Sequence, residues 1–462
     1  MAVVLAGLGA YLYFVELPAD KAKTASESQE KTLLPFADRE ITKIAIASDL
    51  GSVTLEADDK RRWRITAPLA AEAEARDVEA LLRAVTLGKV SRVLDDQPSA
   101  LAPFGLEKPA AVLTFVAGER QETLSIGDSG PISSTLYALR GSDKKVVLTT
   151  LAPRDVLNKT VFTFRKKDVL KFSQDQLDQM RIATPAGEVL LVRPDLAAQA
   201  GHAVSSDKRK WLIKFPVEGL ADQTAVRTLL QRLEDLKALG FVDPGPPRDA
   251  LSAKLTKPDA RLTLTTGGLE QTVKLYQVDA ASGEAYAVTT PESPIYRISP
   301  MAIKDFTKEL FAFQDKRLLG AEVDDIALLS VRTRDDRYTL VKQSGDWVME
   351  EQANDRLDQE KVNLFVSRVV DLPAELRVVK QAGPLTPYGL SAPSAELTVT
   401  RKDGTPGGRL VLGSRVPGVN GLAYAMGQRL PGIFQARSDI LDQIPAKQDL
   451  FASAKEGAAK KP

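Results

Sequence analysis

The chain contains three tryptophans, and each stands at the same point of a unit that recurs three times: Trp63, Trp211 and Trp347. Eleven residues after each comes an acidic residue, expected in the first turn of a helix, where the macrodipole favours negative charge. Apolar residues follow at 15, 18, 19 and 22 residues, the spacing of one face of an amphipathic helix. The acidic residues are Glu74, Asp222 and Asp358, and the apolar stripes are Val78, Leu81, Leu82 and Val85; Val226, Leu229, Leu230 and Leu233; and Val362, Phe365, Val366 and Val369. A period of about 140 residues predicts whole domains in series rather than short solenoid turns.

The register continues beyond the helix. A proline comes 46 or 47 residues after each tryptophan, a Leu-Thr pair follows it, and a Tyr-Ala pair comes next. The prolines are Pro109, Pro258 and Pro393, and the tyrosines are Tyr137, Tyr286 and Tyr424. A length of 462 residues, at about 150 residues per domain, also predicts three domains.

Alternation of apolar and polar residues, as in Trp63-Arg64-Ile65-Thr66, predicts strands packed on one face. Runs of strands interrupted by single helices favour the α+β class: a mainly antiparallel sheet with one long and one short helix in each repeat. Turn residues precede each tryptophan strand, at 58–61, 206–209 and 344–346. We interpret each tryptophan as a core anchor rather than a ligand-stacking residue, because a buried indole supplies a large apolar area.

Domain boundaries follow from composition. Residues 1–17 are predicted to be a transmembrane or signal anchor, because residues 2–15 carry no charge. This uncharged run is shorter than the roughly 20 residues that span a bilayer, so we expect the protein to start upstream of Met1. A cleaved signal peptide or a buried helix are the alternatives for this segment. Residues 18–38 predict a linker, 39–170, 171–320 and 321–451 the three repeats, and 452–462 a disordered tail. Short junctions at 165–173 and 315–323 predict a fairly rigid array.

Charge and composition exclude several partners. Lys plus Arg number 62 against 61 Asp plus Glu, so nothing favours a nucleic-acid partner. The only histidine, His202, falls in an insertion of the second unit, and no cysteine is present. Neither a Rossmann nor a Walker phosphate motif occurs. We therefore assign no catalytic, cofactor-binding or metal-binding residues, although adjacent acids such as Asp58-Asp59 leave open a carboxylate pair that converges in the fold.

Longer phrases resemble a known family. Arg62-Trp63-Arg64-Ile65-Thr66-Ala67-Pro68 and Phe104-Gly105-Leu106-Glu107-Lys108-Pro109 resemble the bacterial family called domain of unknown function 4340, and Tyr388-Gly389-Leu390-Ser391-Ala392-Pro393 repeats its hallmark. Ile126-Gly127 and Leu412-Gly413 follow these phrases, whereas the second unit has Leu275-Tyr276 and a degraded phrase ending at Pro258. We expect Gly105 and Gly389 to serve a turn and the following proline to start a strand.

The resemblance implies a membrane-anchored bacterial envelope protein, of a kind often encoded beside the permease and ATPase of a gliding-motility-type ABC transport system. It supplies no catalytic residues. Our leading hypothesis is a non-enzymatic accessory or scaffold subunit, single-pass in the cytoplasmic membrane with its repeats on the extracytoplasmic side. Its expected partners are the ABC-type permease and ATPase or other envelope proteins, with no cofactor and no nucleic acid. An envelope polymer- or glycan-binding module is the alternative, and an unrecognised hydrolase is a third.

Overall fold

The computed structural model describes residues 31–95, 100–132, 134–194, 210–279, 283–290, 294–380 and 383–451. These residues form three antiparallel sheets of nine, nine and eight strands, with short helices between strands. The predicted anchor at 1–17 and tail at 452–462 lie outside the described residues. No helix in the described part of the chain is long and apolar enough to cross a membrane.

The first sheet has the strand order β4-β3-β2-β1-β6-β7-β8-β9-β5. Its strands are β1 (Lys43–Ser48), β2 (Gly51–Ala57), β3 (Trp63–Ala67), β4 (Ala71–Glu72), β5 (Val90–Asp95), β6 (Ala111–Ala117), β7 (Arg120–Ser129), β8 (Leu136–Arg140) and β9 (Val146–Thr149). Its helices are α1 (Ala75–Leu87), α2 (Pro153–Val156) and α3 (Val161–Phe164).

The second sheet repeats this order as β13-β12-β11-β10-β15-β16-β17-β18-β14. Its strands are β10 (Gln179–Thr184), β11 (Gly187–Val192), β12 (Leu212–Phe215), β13 (Gly219–Leu220), β14 (Gly240–Val242), β15 (Ala260–Thr266), β16 (Leu269–Asp279), β17 (Glu284–Thr290) and β18 (Ile295–Ile298). Its helices are α4 (Gln223–Glu234), α5 (Pro246–Ser252) and α6 (Pro300–Phe306).

The third sheet has the order β21-β20-β19-β23-β24-β25-β26-β22. Its strands are β19 (Ile326–Thr333), β20 (Arg337–Gln343), β21 (Asp346–Met349), β22 (Leu376–Val379), β23 (Ala395–Arg401), β24 (Pro406–Arg415), β25 (Leu422–Gly427) and β26 (Ile433–Arg437). Its helices are α7 (Gln359–Val370) and α8 (Asp439–Gln443).

In each sheet the first strand of the repeat, β1, β10 or β19, pairs with the strand that follows the repeat proline, β6, β15 or β23. The residue directly after each proline donates a hydrogen bond to the strand on the other side, β7, β16 or β24, and the strand itself begins one residue later. The three prolines therefore precede their strands by two residues rather than starting them: Pro109 before β6, Pro258 before β15 and Pro393 before β23.

The predicted helical stripes form the core contacts of α1, α4 and α7. All twelve stripe residues are buried, with at most 4% of their surface exposed. Burying each such side chain contributes about 1.5–3 kcal/mol relative to leaving it in water. The acids predicted in the first helical turn stand one position earlier, as N-caps. Asp222 and Asp358 accept hydrogen bonds from backbone N–H groups, whereas the longer Glu74 makes no such bond.

Two expectations need correction. Residues 31–38, predicted as the end of a linker, belong to the first repeat, because Leu33, Leu34 and Phe36 are buried in its core and the Val90 N–H donates to the Lys31 carbonyl oxygen. One short helix per repeat holds only for the third repeat. In the first repeat Asn158, at φ 61°, separates α2 from α3, and in the second a Pro-Pro start supports the additional α5.

Chain contacts divide the protein into two compact units. One runs to Val169 and includes Lys237–Phe241, and the other holds Leu170–Leu236 and the chain from Val242 onward. The second unit thus contains most of the second repeat together with the whole third repeat. The predicted boundaries between the repeats, at 170/171 and 320/321, stay predictions.

Candidate functional site

The candidate site lies inside the second unit, along the linker between α6 and β19. The Asp315 N–H donates to the Leu220 carbonyl oxygen at 3.1 Å, which holds the linker to the end of β13. One residue later the Lys316 carbonyl oxygen accepts from the Ala374 N–H at 2.8 Å, which holds it to the segment preceding β22. The linker is therefore bonded to the second and third repeats within two consecutive residues.

An ion-pair network reinforces this linker. Arg317 donates from Nη2 to Asp315 Oδ2 at 2.8 Å, and from Nη1 and Nη2 to the two oxygens of Glu322 at 3.0 and 2.9 Å. Arg429, from the loop after β25, reaches the same Asp315 Oδ2 at 2.9 Å. The Asp315 and Arg317 side chains are 12% and 19% exposed, so two cations share one largely buried carboxylate.

The network lowers the pKa of its two carboxyl groups and raises that of Arg317, and both changes favour the charged forms. Burial alone would raise the pKa of Asp315, but hydrogen bonds from Arg317 and the nearby Arg429 charge hold that pKa below its ordinary value. Hydrogen bonds from Arg317 lower the pKa of Glu322, and burial offsets this only in part. The pKa of Arg317 is raised, first by its bonds to Glu322 and then by those to Asp315. All three groups are charged at neutral pH.

Two grooves flank the linker. The first, which we call the Arg317 groove, has a volume of about 510 Å³, and the second, the Arg377 groove, about 490 Å³. Both volumes lie in the range of about 300–1,000 Å³ that is typical of ligand sites. Charged residues dominate the Arg317 groove: Lys210, Asp222, Asp315, Lys316, Arg317, Glu322 and Glu375. The Arg377 groove combines aromatic and mainly basic side chains: Phe215, Lys308, Glu309, Phe311, Arg377 and Lys380.

Arg377 lies against two aromatic rings, that of Phe311 in this groove and that of the buried Phe434. Its guanidinium carbon is 4.6 Å from the Phe311 ring centre and 5.5 Å from that of Phe434, and its Nη2 donates to Gln314 Oε1 at 2.8 Å. Burial lowers the pKa of Arg377, with the Glu309 charge acting in the opposite direction. Its Nε is buried without a hydrogen-bond partner among the described residues. The cation is therefore held by π-faces and a neutral amide rather than by a close carboxylate.

The tryptophans that define the repeats lie in the cores. Trp63 and Trp211 are 6% exposed and Trp347 is 1% exposed. A cation lies over each ring at 5.1 to 5.8 Å, and each comes from a different point of its repeat: Arg61, Arg193 and Lys342. The indole Nε1 of Trp347 donates to Asn363 Oδ1 at 2.9 Å. These contacts are those of core anchors with a polar handle.

Sequence reasoning missed a glutamine clamp on two of these tryptophans. Gln359 accepts from the Trp347 N–H at 2.7 Å and donates back to the Trp347 carbonyl oxygen at 2.8 Å. Gln223 makes the same pair of bonds with Trp211, at 2.8 and 3.0 Å. The signal was a glutamine twelve residues after the tryptophan, at the first position of the helix, where the first repeat has Ala75.

The hallmark phrases form a tight turn against the next hairpin. Gly105 and Gly389 have φ of 68° and 67°, in the left-handed region that favours glycine. A Cβ on Gly127 would stand 2.1 Å from the Phe104 carbonyl oxygen, and one on Gly413 would stand 2.2 Å from that of Tyr388. The phrase aromatics also contact the repeat tyrosines edge to face, Phe104 with Tyr137 at 5.4 Å and Tyr388 with Tyr424 at 5.0 Å.

The second repeat replaces this turn. It has Tyr276 where the close-approach glycine stands in the other two repeats, and α5 with its following turn takes the place of the phrase. Tyr286 is 8% exposed, and burial, followed by the Glu284 charge, raises its pKa. The phrase and its glycine are thus both present or both absent, as expected for two halves of one packing contact.

The sequence pattern built on these elements matches a known family, described as Domain of unknown function (DUF4340), at residues 63–250, 211–372 and 347–454. Each of the three matches begins at one of the three tryptophans. The chain belongs to the DUF4340 family. No curated protein matches it.

In this DUF4340 chain the repeat-defining residues and the grooves are separate. Tryptophans and repeat tyrosines belong to all three sheets and the phrase glycines to the first and third, and of the repeat positions described above only the N-cap Asp222 and the clamp Gln223 line one of the two grooves. In the part of the chain that the structure describes, no cluster of three or more His, Cys, Asp or Glu could hold a metal ion. The two carboxylates that pair with Arg317, those of Asp315 and Glu322, both have lowered pKa values, which suits ion pairing rather than general acid catalysis. His202 lies outside the described residues.

Proposed function

We propose that this DUF4340 protein is a non-enzymatic, membrane-anchored envelope protein that acts as an accessory or scaffold subunit of an ABC-type transport system. The observation that carries the proposal is the linker of the second unit, which is bonded to two repeats and fixed by the Asp315–Arg317–Glu322 network. A scaffold must present surfaces from different repeats at a fixed spacing. Bonds to both repeats and a largely buried ion pair at the linker meet that requirement.

The anchoring part of the proposal comes from the sequence. The uncharged run at 2–15 supports attachment to the cytoplasmic membrane, with the repeats on its extracytoplasmic side. The resemblance of the phrases to envelope proteins associated with gliding-motility-type ABC systems supports a permease and ATPase as partners. The grooves supply the surface, since each holds charged groups beside apolar ones and so provides both affinity and orientation.

In-cell crosslinking of the full-length protein, followed by affinity purification and mass spectrometry, tests this proposal. We expect recovery of an ABC permease and its ATPase, with crosslinks that map to the second unit. Arg317→Met should reduce this recovery by loosening the linker, whereas the exposed-pair control Arg415→Met should not. Reproducible purification of the protein alone, under crosslinking that captures known membrane complexes from the same cells, would refute the accessory-subunit function.

One observation favours the alternative of an envelope polymer- or glycan-binding module. Phe215, in the Arg377 groove, is 49% exposed, and flat apolar rings exposed beside polar groups are suited to stacking on sugar rings. Co-sedimentation of the full chain with purified cell-wall material separates the two functions. Binding that is lost in Phe215→Ala, together with no permease in the crosslinking experiment, would favour the module.

A further inference from the structure

The Arg377 groove carries a further inference, because its arginine is a partly buried cation whose charge the described chain compensates only in part. The one hydrogen bond that its guanidinium makes to a described residue runs from Nη2 to the neutral Gln314 amide, and Nε is buried without a partner. Glu309 acts on it as a nearby charge, without a hydrogen bond. Taking a cation out of water costs free energy unless an anion or enough hydrogen bonds replace the water. An anion in the groove would supply the missing compensation.

Arg377 is also held in place at this groove. Its guanidinium carbon lies 4.6 Å from the ring centre of Phe311, and both residues line the groove. The ring centre of the buried Phe434 lies 5.5 Å from the same carbon. A cation that is already fixed loses little conformational freedom when an anion binds to it, so it contributes more affinity than a mobile one.

Two further cations line the groove, Lys308 from the linker and Lys380 directly after β22. Both side chains are exposed, and neither forms an ion pair with a described residue. Glu309 and Glu188 bring negative charge to the lining, but Glu188 is already paired with Arg181. Three cations therefore face one unpaired carboxylate, which leaves the groove with an excess of two positive charges.

An apolar wall lies beside these charges. Phe215 is 49% exposed, and it lines the groove together with Pro216 and Phe311. Exposed aromatic rings favour stacking with a flat ring of a bound molecule. The volume of about 490 Å³ is in the range of sites for organic ligands rather than for single ions. The groove thus combines a surface for a ring with a surface for an anion.

We propose that the Arg377 groove binds a small organic phosphate monoester, whose phosphate contacts Arg377, Lys308 and Lys380 and whose ring stacks on Phe215. Charge decides between a phosphate and a carboxylate. A phosphate monoester carries about −1.5 to −2 at pH 7, which matches the excess of two positive charges, whereas a carboxylate carries a single negative charge. The inference goes beyond the proposed function, because a scaffold requires no small ligand.

Isothermal titration calorimetry of the full chain with four probes tests the inference: phenyl phosphate, glucose phosphate esterified at its primary hydroxyl, inorganic phosphate and benzoate. We expect one of the two esters to bind about tenfold more tightly than inorganic phosphate, which lacks the ring. The same ester should bind about fivefold more tightly than benzoate, which lacks the second charge. Tighter binding of phenyl phosphate would identify an aromatic ring, and tighter binding of glucose phosphate a sugar ring. Equal binding of all four probes, or no binding of either ester at millimolar concentration, would overturn the inference.

Variants at exposed positions locate the site. Lys308→Ala with Lys380→Ala should weaken binding of the tighter ester about tenfold, since each exposed charge contact contributes a factor of about two to five. The control Lys304→Ala with Lys402→Ala removes two exposed lysines of the same unit that do not line the groove, and it should leave the affinity unchanged. Unchanged affinity in the first double variant would show that the ester binds elsewhere.

The ring contact is tested separately. Phe215→Ala should lower the affinity for the tighter ester to that for inorganic phosphate, while the affinity for inorganic phosphate itself should stay the same. Loss of folding would not produce this split, because it would remove both affinities together. An ester that keeps its tenfold advantage in Phe215→Ala would refute the stacking part of the inference.

Arg377→Met tests the central cation, because methionine keeps an apolar stem against Phe311 and Phe434 but removes the charge. We expect no measurable binding of either ester to this variant, and thermal melting shows whether it is folded. Retained binding would overturn the inference. No binding of either ester to the natural chain, together with recovery of a permease after crosslinking in cells, would refute the ligand site and leave the scaffold function standing. Binding that depends on Arg377, in a protein that purifies alone after crosslinking, would support the ligand site and refute the scaffold function.

Discussion

Replacing Arg317 with methionine should weaken the second unit by about 2 kcal/mol. Methionine keeps an unbranched apolar stem of similar reach but removes the guanidinium that bridges Asp315 and Glu322. Removing one member of a buried ion pair costs about 3–5 kcal/mol, because the remaining charge stays buried. Asp315, at 12% exposed, approaches that case but keeps Arg429 as a partner. Glu322 is 52% exposed and returns to water, at a cost of about 0–1 kcal/mol.

Intrinsic tryptophan fluorescence can follow this unit alone. Trp63 lies in the first unit, whereas Trp211 and Trp347 lie in the second, so the background variant Trp63→Phe leaves a signal from the second unit only. For a domain of this size, 1 kcal/mol corresponds to about 2 °C in Tm, so Arg317→Met should lower the Tm by about 4 °C. Urea titration at 25 °C gives the free energy of unfolding independently.

The matched control is Arg415→Met in the same repeat. Arg415 contacts both oxygens of Asp442 at 2.7 and 2.8 Å, but these side chains are 54% and 68% exposed. Breaking this exposed pair should cost no more than about 0.5 kcal/mol, and losing the bond from Arg415 Nη1 to the Ser438 hydroxyl at 3.0 Å adds about 0.5 kcal/mol. If Arg317→Met and Arg415→Met lower the free energy of unfolding equally, burial does not strengthen the Arg317 network, and the scaffold argument built on it fails.

Three further predictions concern the same unit. Gly413→Ala should destabilise it by about 1–3 kcal/mol through overpacking against the Tyr388 carbonyl oxygen, whereas Gly219→Ala, with open space around its Cβ position, should not; thermal melting distinguishes them. Gln359→Ala should cost about 1–2 kcal/mol in urea titration, because two backbone groups of Trp347 lose their partner, and an equally stable variant would contradict the clamp. The pKa of Asp315 in the folded protein lies below its ordinary value of 3.8, so the stability that the ionised Asp315 contributes is complete above pH 3.8 and is lost as the pH falls through the folded pKa. The loss of stability in Asp315→Asn, measured at pH 7, should therefore shrink on acidification. A loss that stays constant with pH would exclude this linkage.

The repeat and its core were predictable because they rest on spacing. An apolar stripe on a helix, such as that of Val78 to Val85, indicates a buried face whichever distant residues pack against it. The three tryptophans place the three repeats in one common register within this single sequence. The burial of Leu33, Leu34 and Phe36 was not predictable, because the preceding polar stretch is typical of a linker and three apolar residues are too few to show a period. The additional helix α5 lies where the second repeat departs from the sequence pattern of the other two, so that pattern could not predict it.

The grooves could not be predicted, for a different reason. Arg317, Arg429 and Asp315 are separated by up to 114 positions, so only the fold brings them together. Lys316, Arg317 and Lys380 appear in the sequence as scattered basic residues, which are usually solvated. What sets Arg377 apart is its contact with both Phe311 and Phe434, which lie 66 positions before it and 57 positions after it.

The second repeat shows which features of the repeat can be replaced and which are kept. It has lost the phrase and the close-approach glycine, and α5 and Tyr276 stand in their place, yet its sheet has the same nine-strand order as the first. It retains Asp222 and Gln223, which cap the helix, clamp Trp211 and line the Arg317 groove. The phrase packs one hairpin within a repeat, so a different local packing can replace it. The Asp222 and Gln223 positions connect helix, tryptophan strand and linker at once, and any replacement would have to satisfy all three contacts together.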